Sequence, residues 1–167
     1  MKSIRKIKFY LLLICFLINI VYVTPSYSLS PQEDLFKNAL NLSSSGEFNL
    51  ALKQWNKYLE LFPNDAAALS NRGNIKLVNG DPEGAIEDQD KAIELDPGEV
   101  DPYINRGIAE ESLGLWLQAK NDYLYVISKD KDNFSALYNF ANVEGSLSNW
   151  QSARNLFSKA SESNPGF

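Results

Sequence analysis

The chain has no histidine and a single cysteine, Cys15, in 167 residues. Histidine is a frequent general base and zinc ligand, and cysteine is the other common zinc ligand and a strong nucleophile. The sequence also has no glycine-rich phosphate loop and no cluster of metal-ligating residues. Its carboxylates are spread along helix faces, as in "EDQD" at 87–90, a pattern typical of solvated surfaces. We therefore expect no enzymatic activity, no cofactor and no metal site.

The first 28 residues have the three-part layout of a secretory signal peptide. The leading cations are Lys2, Arg5, Lys6 and Lys8. An apolar run over residues 9–23 follows and is interrupted only by Asn19. Pro25 then ends any helix, and small residues at 26 and 28 match the pattern before a cleavage site. The sequence predicts cleavage after Ser28, and Cys15 would be removed with the signal peptide.

The same apolar run offers one alternative, an uncleaved membrane anchor formed by residues 9–23. Fifteen residues span about 22 Å as a helix, less than the roughly 30 Å of a bilayer's hydrocarbon core. The short length favours cleavage over anchoring. Membrane contact is expected only through this segment, and only if it is retained.

The charge that remains after this segment is acidic. Four of the 16 basic residues precede Glu33, the first acidic residue, so 12 basic residues face 21 acidic ones, a net charge of −9. Such a surface repels phosphate backbones, which makes nucleic acid a poor partner. A net charge of this size is also ordinary for solubility.

A repeat of 34 residues runs through the rest of the chain without a gap. Pro63, Pro97 and Pro165 are separated by 34 and then by 68 residues. The register divides the chain, after a lead-in over 29–31, into the units 32–65, 66–99, 100–133 and 134–167. The twentieth place of each unit is alanine: Ala51, Ala85, Ala119 and Ala153. Internal repetition of this kind predicts stacked units, because no single unit can bury its own apolar face.

Other places in the unit predict a pair of closely packed helices. The eighth place is always small, and the residues are Ala39, Gly73, Gly107 and Ala141. The twenty-fourth is aromatic in three units and reads Trp55, Gln89, Tyr123 and Phe157. The fourth place is large and apolar and shares a helix face with the small eighth place, so a second helix can approach closely, and the twentieth, twenty-fourth and twenty-seventh places form the matching stripe on that second helix. Glycine at the fifteenth place, as Gly46, Gly80 and Gly114, is expected to end the first helix.

Two further places change together from unit to unit. The seventh and twenty-third places read Asn38 with Gln54, Arg72 with Asp88, Arg106 with Asp122, and Phe140 with Leu156. Each pair is chemically matched: two amides, a cation with a carboxylate twice, then two apolar groups. We interpret the pairs as partly desolvated contacts across each hairpin, which concern stability rather than function.

The run "SNRGNIKLVNGDPEGAIEDQDKAIELDP" at 70–97 resembles a tetratricopeptide repeat from end to end. The resemblance extends over 32–167 and implies an all-α fold, a right-handed superhelical solenoid of four helix-turn-helix hairpins. The chain is also similar to exported repeat proteins of photosynthetic bacteria and plastids. That likeness implies an exported location, in the periplasm, the medium or the thylakoid lumen. The array has no polar capping helix after residue 167, so we expect either partial capping by the last helix or a shortened array.

In this family the first helix of each hairpin lines a concave groove that binds protein segments. Carried onto this sequence, the resemblance implies the groove residues Asn71, Asn105, Asn139, Asn74, Asn142, Ile104 and Tyr138. Asparagine amides offer a donor and an acceptor to a peptide main chain. We therefore expect a scaffold for a protein or peptide partner, with a role in the assembly of an exported or membrane complex. A structural, self-associating repeat protein is the alternative.

One known subtype of the family is not expected. Repeat proteins that hold acidic chaperone tails use lysine or arginine at three groove places. If 32–65 is taken as the first unit of such a site, those places carry Phe36, Asp101 and Asn105. If the site starts one unit later, they carry Ser70, Ser135 and Asn139. Neither set of residues contains a cation that could balance a terminal carboxylate.

Overall fold

The computed structural model describes residues 30–164. The predicted signal peptide, the alternative anchor over 9–23 and the cleavage position at Ser28 lie outside the described residues, as do residues 165–167. None of the helices within 30–164 combines the length and the apolar character that crossing a membrane requires.

Every regular element between residues 30 and 164 is an α-helix, which confirms the all-α prediction. The eight helices are α1 (Pro31–Ser44), α2 (Phe48–Leu61), α3 (Ala66–Val78), α4 (Pro82–Leu95), α5 (Asp101–Ser112), α6 (Trp116–Lys129), α7 (Phe134–Ser146) and α8 (Trp150–Ser163). The helices pair into four hairpins, and each helix packs on the next along the chain. This arrangement is a helical-repeat solenoid, as predicted.

The first helices of neighbouring hairpins also touch one another. α3 contacts both α1 and α5, and α5 contacts α7, whereas in the described part of the chain no second helix contacts another second helix. The first helices therefore form the inner layer of the curved array. The predicted groove residues all lie on this layer.

Glycine ends the first helix of three hairpins, as predicted. Gly46, Gly80 and Gly114 have φ angles of 79°, 83° and 73°. A left-handed residue at this position reverses the chain and satisfies the last carbonyls of the helix. The fourth hairpin uses Ser148 in the same conformation, with φ 64°. The second helices begin two residues after these turns.

Close approach of the two helices within a hairpin is confirmed at the eighth and twenty-fourth places. A Cβ atom added to Gly107 would lie 2.6 Å from Cε1 of Tyr123, and one added to Gly73 would lie 2.7 Å from Nε2 of Gln89. Tyr123 and Gln89 are both completely buried. The glycines therefore allow large side chains to pack directly on the facing backbone.

Two of the four covarying pairs are double hydrogen-bonded ion pairs. Arg72 donates to Asp88 at 2.6 and 2.7 Å, and Arg106 donates to Asp122 at 2.7 Å twice. The fourth pair is apolar, with Phe140 in a buried cluster against which Leu156 packs. Asn38 is exposed, and the described hydrogen bonds include none between Asn38 and Gln54.

Each arginine also contacts the preceding hairpin, which the covariation did not predict. Arg72 Nη1 donates to Asn56 Oδ1 at 3.1 Å, and Arg106 Nη1 donates to Asp90 Oδ1 at 2.6 Å. Asn56 and Asp90 occupy the same place in successive units. One side chain therefore joins two hairpins as well as the two helices of its own hairpin.

Candidate functional site

A cavity of about 330 Å³ opens between α3 and α5 on the inner layer. Three of the predicted groove residues line it, Asn71 and Asn74 from α3 and Asn105 from α5. Ser70 lies between them, and Ala66 and Pro102 add apolar surface. The stacking of the hairpins brings these asparagines together, because residues at matching places of successive first helices are neighbours in a stacked array.

The amides of Asn71 and Asn105 are held by one hydrogen bond each. Asn71 Nδ2 donates to the Ala67 carbonyl of its own helix at 2.8 Å, and Asn105 Nδ2 donates to Ser70 Oγ across the cavity at 3.2 Å. No hydrogen bond within the described residues reaches either Oδ1 atom. Each amide thus keeps an acceptor and a second N–H with which a ligand's main chain could bond.

Gln89 positions Asn74 from beneath the cavity. Its Nε2 donates to the Ser70 carbonyl at 3.0 Å and to Asn74 Oδ1 at 3.3 Å. The side chain is completely buried, and its Oε1 has no partner among the described residues. The repeat pattern did not predict this role. Its one signal in the sequence is an amide at a place where the other three units have an aromatic ring.

The other predicted residues do not line this cavity. Ile104 is 8% exposed and belongs to a buried cluster, so little of its side chain is accessible to a ligand. Tyr138 on α7 is half-buried, and its ring stacks on Phe134 at 5.8 Å and meets Phe157 edge-on at 5.5 Å. Asn139 and Asn142 are half-buried on α7, one hairpin further along. Their role in a groove stays a prediction.

The charged residues that line the cavity are all acidic. Asp96 and Glu99 come from the segment between α4 and α5, and Asp101 begins α5. No lysine or arginine contributes to the lining within the described part of the chain. Asp101 and Asn105 occupy two of the places where acid-binding relatives would carry cations. The cavity therefore has the opposite charge to the cationic groove of repeat proteins that hold acidic chaperone tails.

Comparison with known proteins agrees with the repeat pattern. The family profile "Tetratricopeptide repeat" matches residues 36–100. Sperm-associated antigen 1 of Rattus norvegicus is 29% identical over 115 residues, which cover 69% of this chain and 13% of that protein. Tetratricopeptide repeat protein 36 of Danio rerio is 35% identical over 66 residues, 40% of this chain and 35% of that protein. The chain thus spans about a third or less of the length of these two relatives.

Solved structures share the fold at low sequence identity. A crystal structure of MamA superposes with a TM-score of 0.70 at 22% identity, covering 84% of this chain and 78% of that chain. The first TPR of Spaghetti (RPAP3) bound to the HSP90 peptide SRMEEVD gives a TM-score of 0.67 at 21% identity, covering 70% and 93%. The second TPR domain of human RPAP3, in complex with the HSP70 peptide SGPTIEEVD, gives 0.63 at 22%, covering 66% and 92%.

Three observations support the family besides these structural similarities. The sequence repeats without gaps, the eight described helices form hairpins, and the family profile matches the first two units. The chain belongs to the tetratricopeptide-repeat family.

Proposed function

We propose that the chain is a protein-interaction scaffold that binds an extended peptide segment across the cavity between α3 and α5. The observation that carries the proposal is the set of three asparagine amides, Asn71, Asn74 and Asn105, around one cavity of about 330 Å³. A main chain lying there would find acceptors and donors on two neighbouring helices. Peptide complexes of the RPAP3 repeat domains, which share the fold, support this mode of binding.

The charge of the lining defines the class of segment. A peptide that ends in acidic residues would bring its carboxylates close to Asp96, Glu99 and Asp101, and none of the lining residues is a cation. Like charges within a partly desolvated cavity repel strongly. A neutral or basic segment instead gains attraction from the same carboxylates. The proposed partner is therefore an extended segment that contains lysine or arginine and lacks an acidic terminus.

The proposed scaffold is non-catalytic and acts outside the cytoplasm. The chain has no histidine, and its only cysteine lies in the segment that export would remove. The predicted signal peptide directs the scaffold to the periplasm, the medium or the thylakoid lumen, where it would assist assembly of an exported or membrane complex. Anchoring by residues 9–23 would keep it at the membrane surface.

Peptide binding is tested by selecting ligands from a random peptide library on the wild-type protein and titrating them calorimetrically. The triple change Asn71→Ala, Asn74→Ala, Asn105→Ala should weaken binding roughly 10- to 2,000-fold if each amide contributes about 0.5–1.5 kcal/mol. Asn121→Ala, on the exposed face of α6, is the matched control and should bind normally. Unchanged affinity in the triple variant would move the binding surface away from the groove.

The charge preference has its own test. A selected peptide is titrated with one lysine replaced by glutamate, and again after Asp101→Asn. The lysine-containing peptide should bind more tightly than its glutamate variant. The Asp101→Asn change should reduce this difference in affinity. The same difference in both proteins would show that Asp101 does not contribute to selection.

Self-association is the second candidate, and one observation favours it. The last helix exposes aromatic side chains, with Trp150 69% and Phe157 38% accessible. Sizing chromatography with light scattering separates the two functions. A stable oligomer of the wild type that Trp150→Ser converts to a monomer would support self-association, whereas a monomeric wild type would exclude it.

A further inference from the structure

Glu110 is a buried carboxyl group at the joint between the second and third hairpins. It lies on α5 and is 8% exposed. Its Oε2 atom has no hydrogen-bond partner within the described residues, and Glu110 takes part in none of the ion pairs found there. A buried ionised carboxylate without a partner is strongly unfavourable, so these surroundings favour the neutral acid.

The same place in the neighbouring hairpins carries a paired charge. Lys76 on α3 lies 3.0 Å from Asp88. Glu144 on α7 lies 2.7 Å from Lys120, which precedes it by 24 residues on α6. The residue that precedes Glu110 by 24 positions is Ile86. The repeat therefore supplies a counter-ion at this place in the second and fourth hairpins and omits it in the third.

The charges that surround Glu110 do not compensate for the omission. Arg106 on α5 is already bonded to Asp122 on α6 and to Asp90 on α4. The guanidinium group of Arg106 is thus engaged by two carboxylates and makes no ion pair with Glu110 within the described residues. Burial, followed by repulsion from Asp122, raises the pKa of Glu110 from 4.5 to about 7, against the opposing effect of Arg106. Tyr123, also on α6, is bonded to Glu111 rather than to Glu110.

The joint is also where the apolar core divides. One cluster of buried residues belongs to the first two hairpins and ends at Ala92 on α4. The other begins at Tyr103 on α5 and belongs to the last two hairpins, with Ile93 packed at its edge. Besides the apolar contact of Ile93, the ion pair between Arg106 and Asp90 bridges α5 and α4, so the charges around Arg106 bear on the joint.

We propose that Glu110 is a proton-operated switch of the joint between the second and third hairpins, closing the joint when protonated and loosening it when ionised. The neutral acid adds no charge to the group formed by Arg106, Asp122 and Asp90, in which two carboxylates already meet one guanidinium. Ionisation adds a further negative charge on a buried side chain that makes no ion pair within the described residues. Since α5 also forms one wall of the cavity, loosening of the joint reaches the inner layer of the array.

The sign of the pH effect follows from the raised pKa. The folded chain binds the Glu110 proton more tightly than the unfolded chain does, so the stabilisation is complete below about pH 4.5 and is lost as the pH rises to about 7. Between pH 4.5 and 7, histidine is the side chain whose ordinary pKa would make stability depend on pH, and this chain has no histidine. Glu111 is the one neighbour that complicates the window, because burial also raises its pKa.

The test combines thermal melts at several pH values with NMR of the Glu110 carboxyl carbon. The melting temperature of the wild type should fall by roughly 5–10 °C between pH 5 and pH 8. Glu110→Gln, which mimics the neutral acid, should lose most of this difference. The carboxyl resonance that is absent from Glu110→Gln should titrate near pH 7 in the wild type. Titration of that resonance below pH 5 would overturn the proposal.

Two variants separate the missing charge from the change of side chain. Ile86→Lys supplies the cation that Glu144 has in Lys120, so it should remove most of the pH dependence while Glu110 remains. Glu111→Gln is the comparison at the neighbouring carboxyl: it should remove only the part of the slope that comes from Glu111, and adding Glu110→Gln should remove the rest. A slope that persists unchanged in Glu110→Gln, or that disappears in Glu111→Gln, would assign the switch elsewhere. If Glu110→Gln fails to fold, Glu110→Ala identifies the resonance, and the NMR titration of the wild type then decides the question.

Discussion

Single residues on the inner layer combine a structural with a proposed binding role, and the two can be separated. Asn71 bonds only to a carbonyl of its own helix, whereas Asn105 bonds to Ser70 on a neighbouring first helix. Asn71→Ala should leave the free energy of unfolding unchanged or slightly higher, because alanine is the better helix former. Asn105→Ala should lower it by about 0.5–1.5 kcal/mol. Urea unfolding of both variants measures the difference, and equal stabilities would show that the Ser70 bond contributes nothing.

Gly107 illustrates how one missing methyl group controls the packing of a hairpin. The added Cβ of Gly107→Ala would lie 2.6 Å from a ring carbon of buried Tyr123. The ring cannot withdraw without opening the core, so the variant should lose about 1–3 kcal/mol of unfolding free energy.

Gly145 provides the matched control for that prediction. It is also a helical glycine, but its nearest contact would be an atom of exposed Trp150 at 3.7 Å. Gly145→Ala should therefore be neutral or stabilising. If Gly107→Ala and Gly145→Ala have the same melting temperature, the close approach at Gly107 does not limit stability.

At the scale of helices, the arginine at the seventh place ties three elements together. Arg106 bonds to Asp122 within its hairpin and to Asp90 in the preceding one. Asp122 is buried, whereas the Asp90 side chain is 56% exposed. Removing one partner of a desolvated pair leaves the other uncompensated, so the bond to Asp122 should dominate.

A double-mutant cycle measures that bond. Arg106→Ala and Asp122→Ala should each cost roughly 1–2 kcal/mol, with a coupling energy above about 0.5 kcal/mol. Asp90→Ala should cost less, because an exposed pair is screened by solvent. The control pair is Lys131 with Asp132, exposed and 3.6 Å apart, where no measurable coupling is expected. If the effects of the Arg106 and Asp122 changes on the free energy of unfolding are additive, the covariation of the seventh and twenty-third places is a coincidence.

The elements that the sequence predicts correctly are those that depend on short-range rules. Glycine after a first helix and small residues opposite large ones follow from backbone conformation and volume, so the roles of Gly46, Gly80 and Gly107 could be inferred from their places in the repeat alone. The pairing of Arg72 with Asp88 could be inferred because both partners change within one hairpin.

The features that the sequence did not predict depend on a neighbouring hairpin. Gln89 supports Asn74, Asn105 reaches Ser70, and Arg106 reaches Asp90, all through contacts set by how two helices stack. The family resemblance implies that Ile104 lines the groove, but the structure buries most of its side chain. A place in a repeat gives the helix face, whereas the depth of burial depends on the side chains that stack beside it.

On the scale of the whole molecule, the acidic net charge fits the proposed binding of a lysine- or arginine-containing segment. The chain carries a net charge of −5, and removal of the four N-terminal cations would make the mature array more acidic. Charge of one sign accelerates encounter with an oppositely charged partner and loses its effect in salt. Affinity for a lysine-containing peptide should therefore fall between low and high ionic strength, and affinity for a neutral peptide should change much less. Calorimetric titration at several salt concentrations measures both.

Export with cleavage after Ser28 is the last prediction that concerns the whole chain. The apolar run over 9–23 is short for a membrane span, and Ser28 follows a small residue two positions earlier. Expression of the full chain in an exporting host should yield a soluble protein whose intact mass matches residues 29–167. Replacing Ser28 with a bulky residue, as in Ser28→Trp, should slow processing and retain the chain at the membrane, because the cleavage site requires small side chains. A wild-type protein recovered from membranes with Met1 in place would establish the anchor instead.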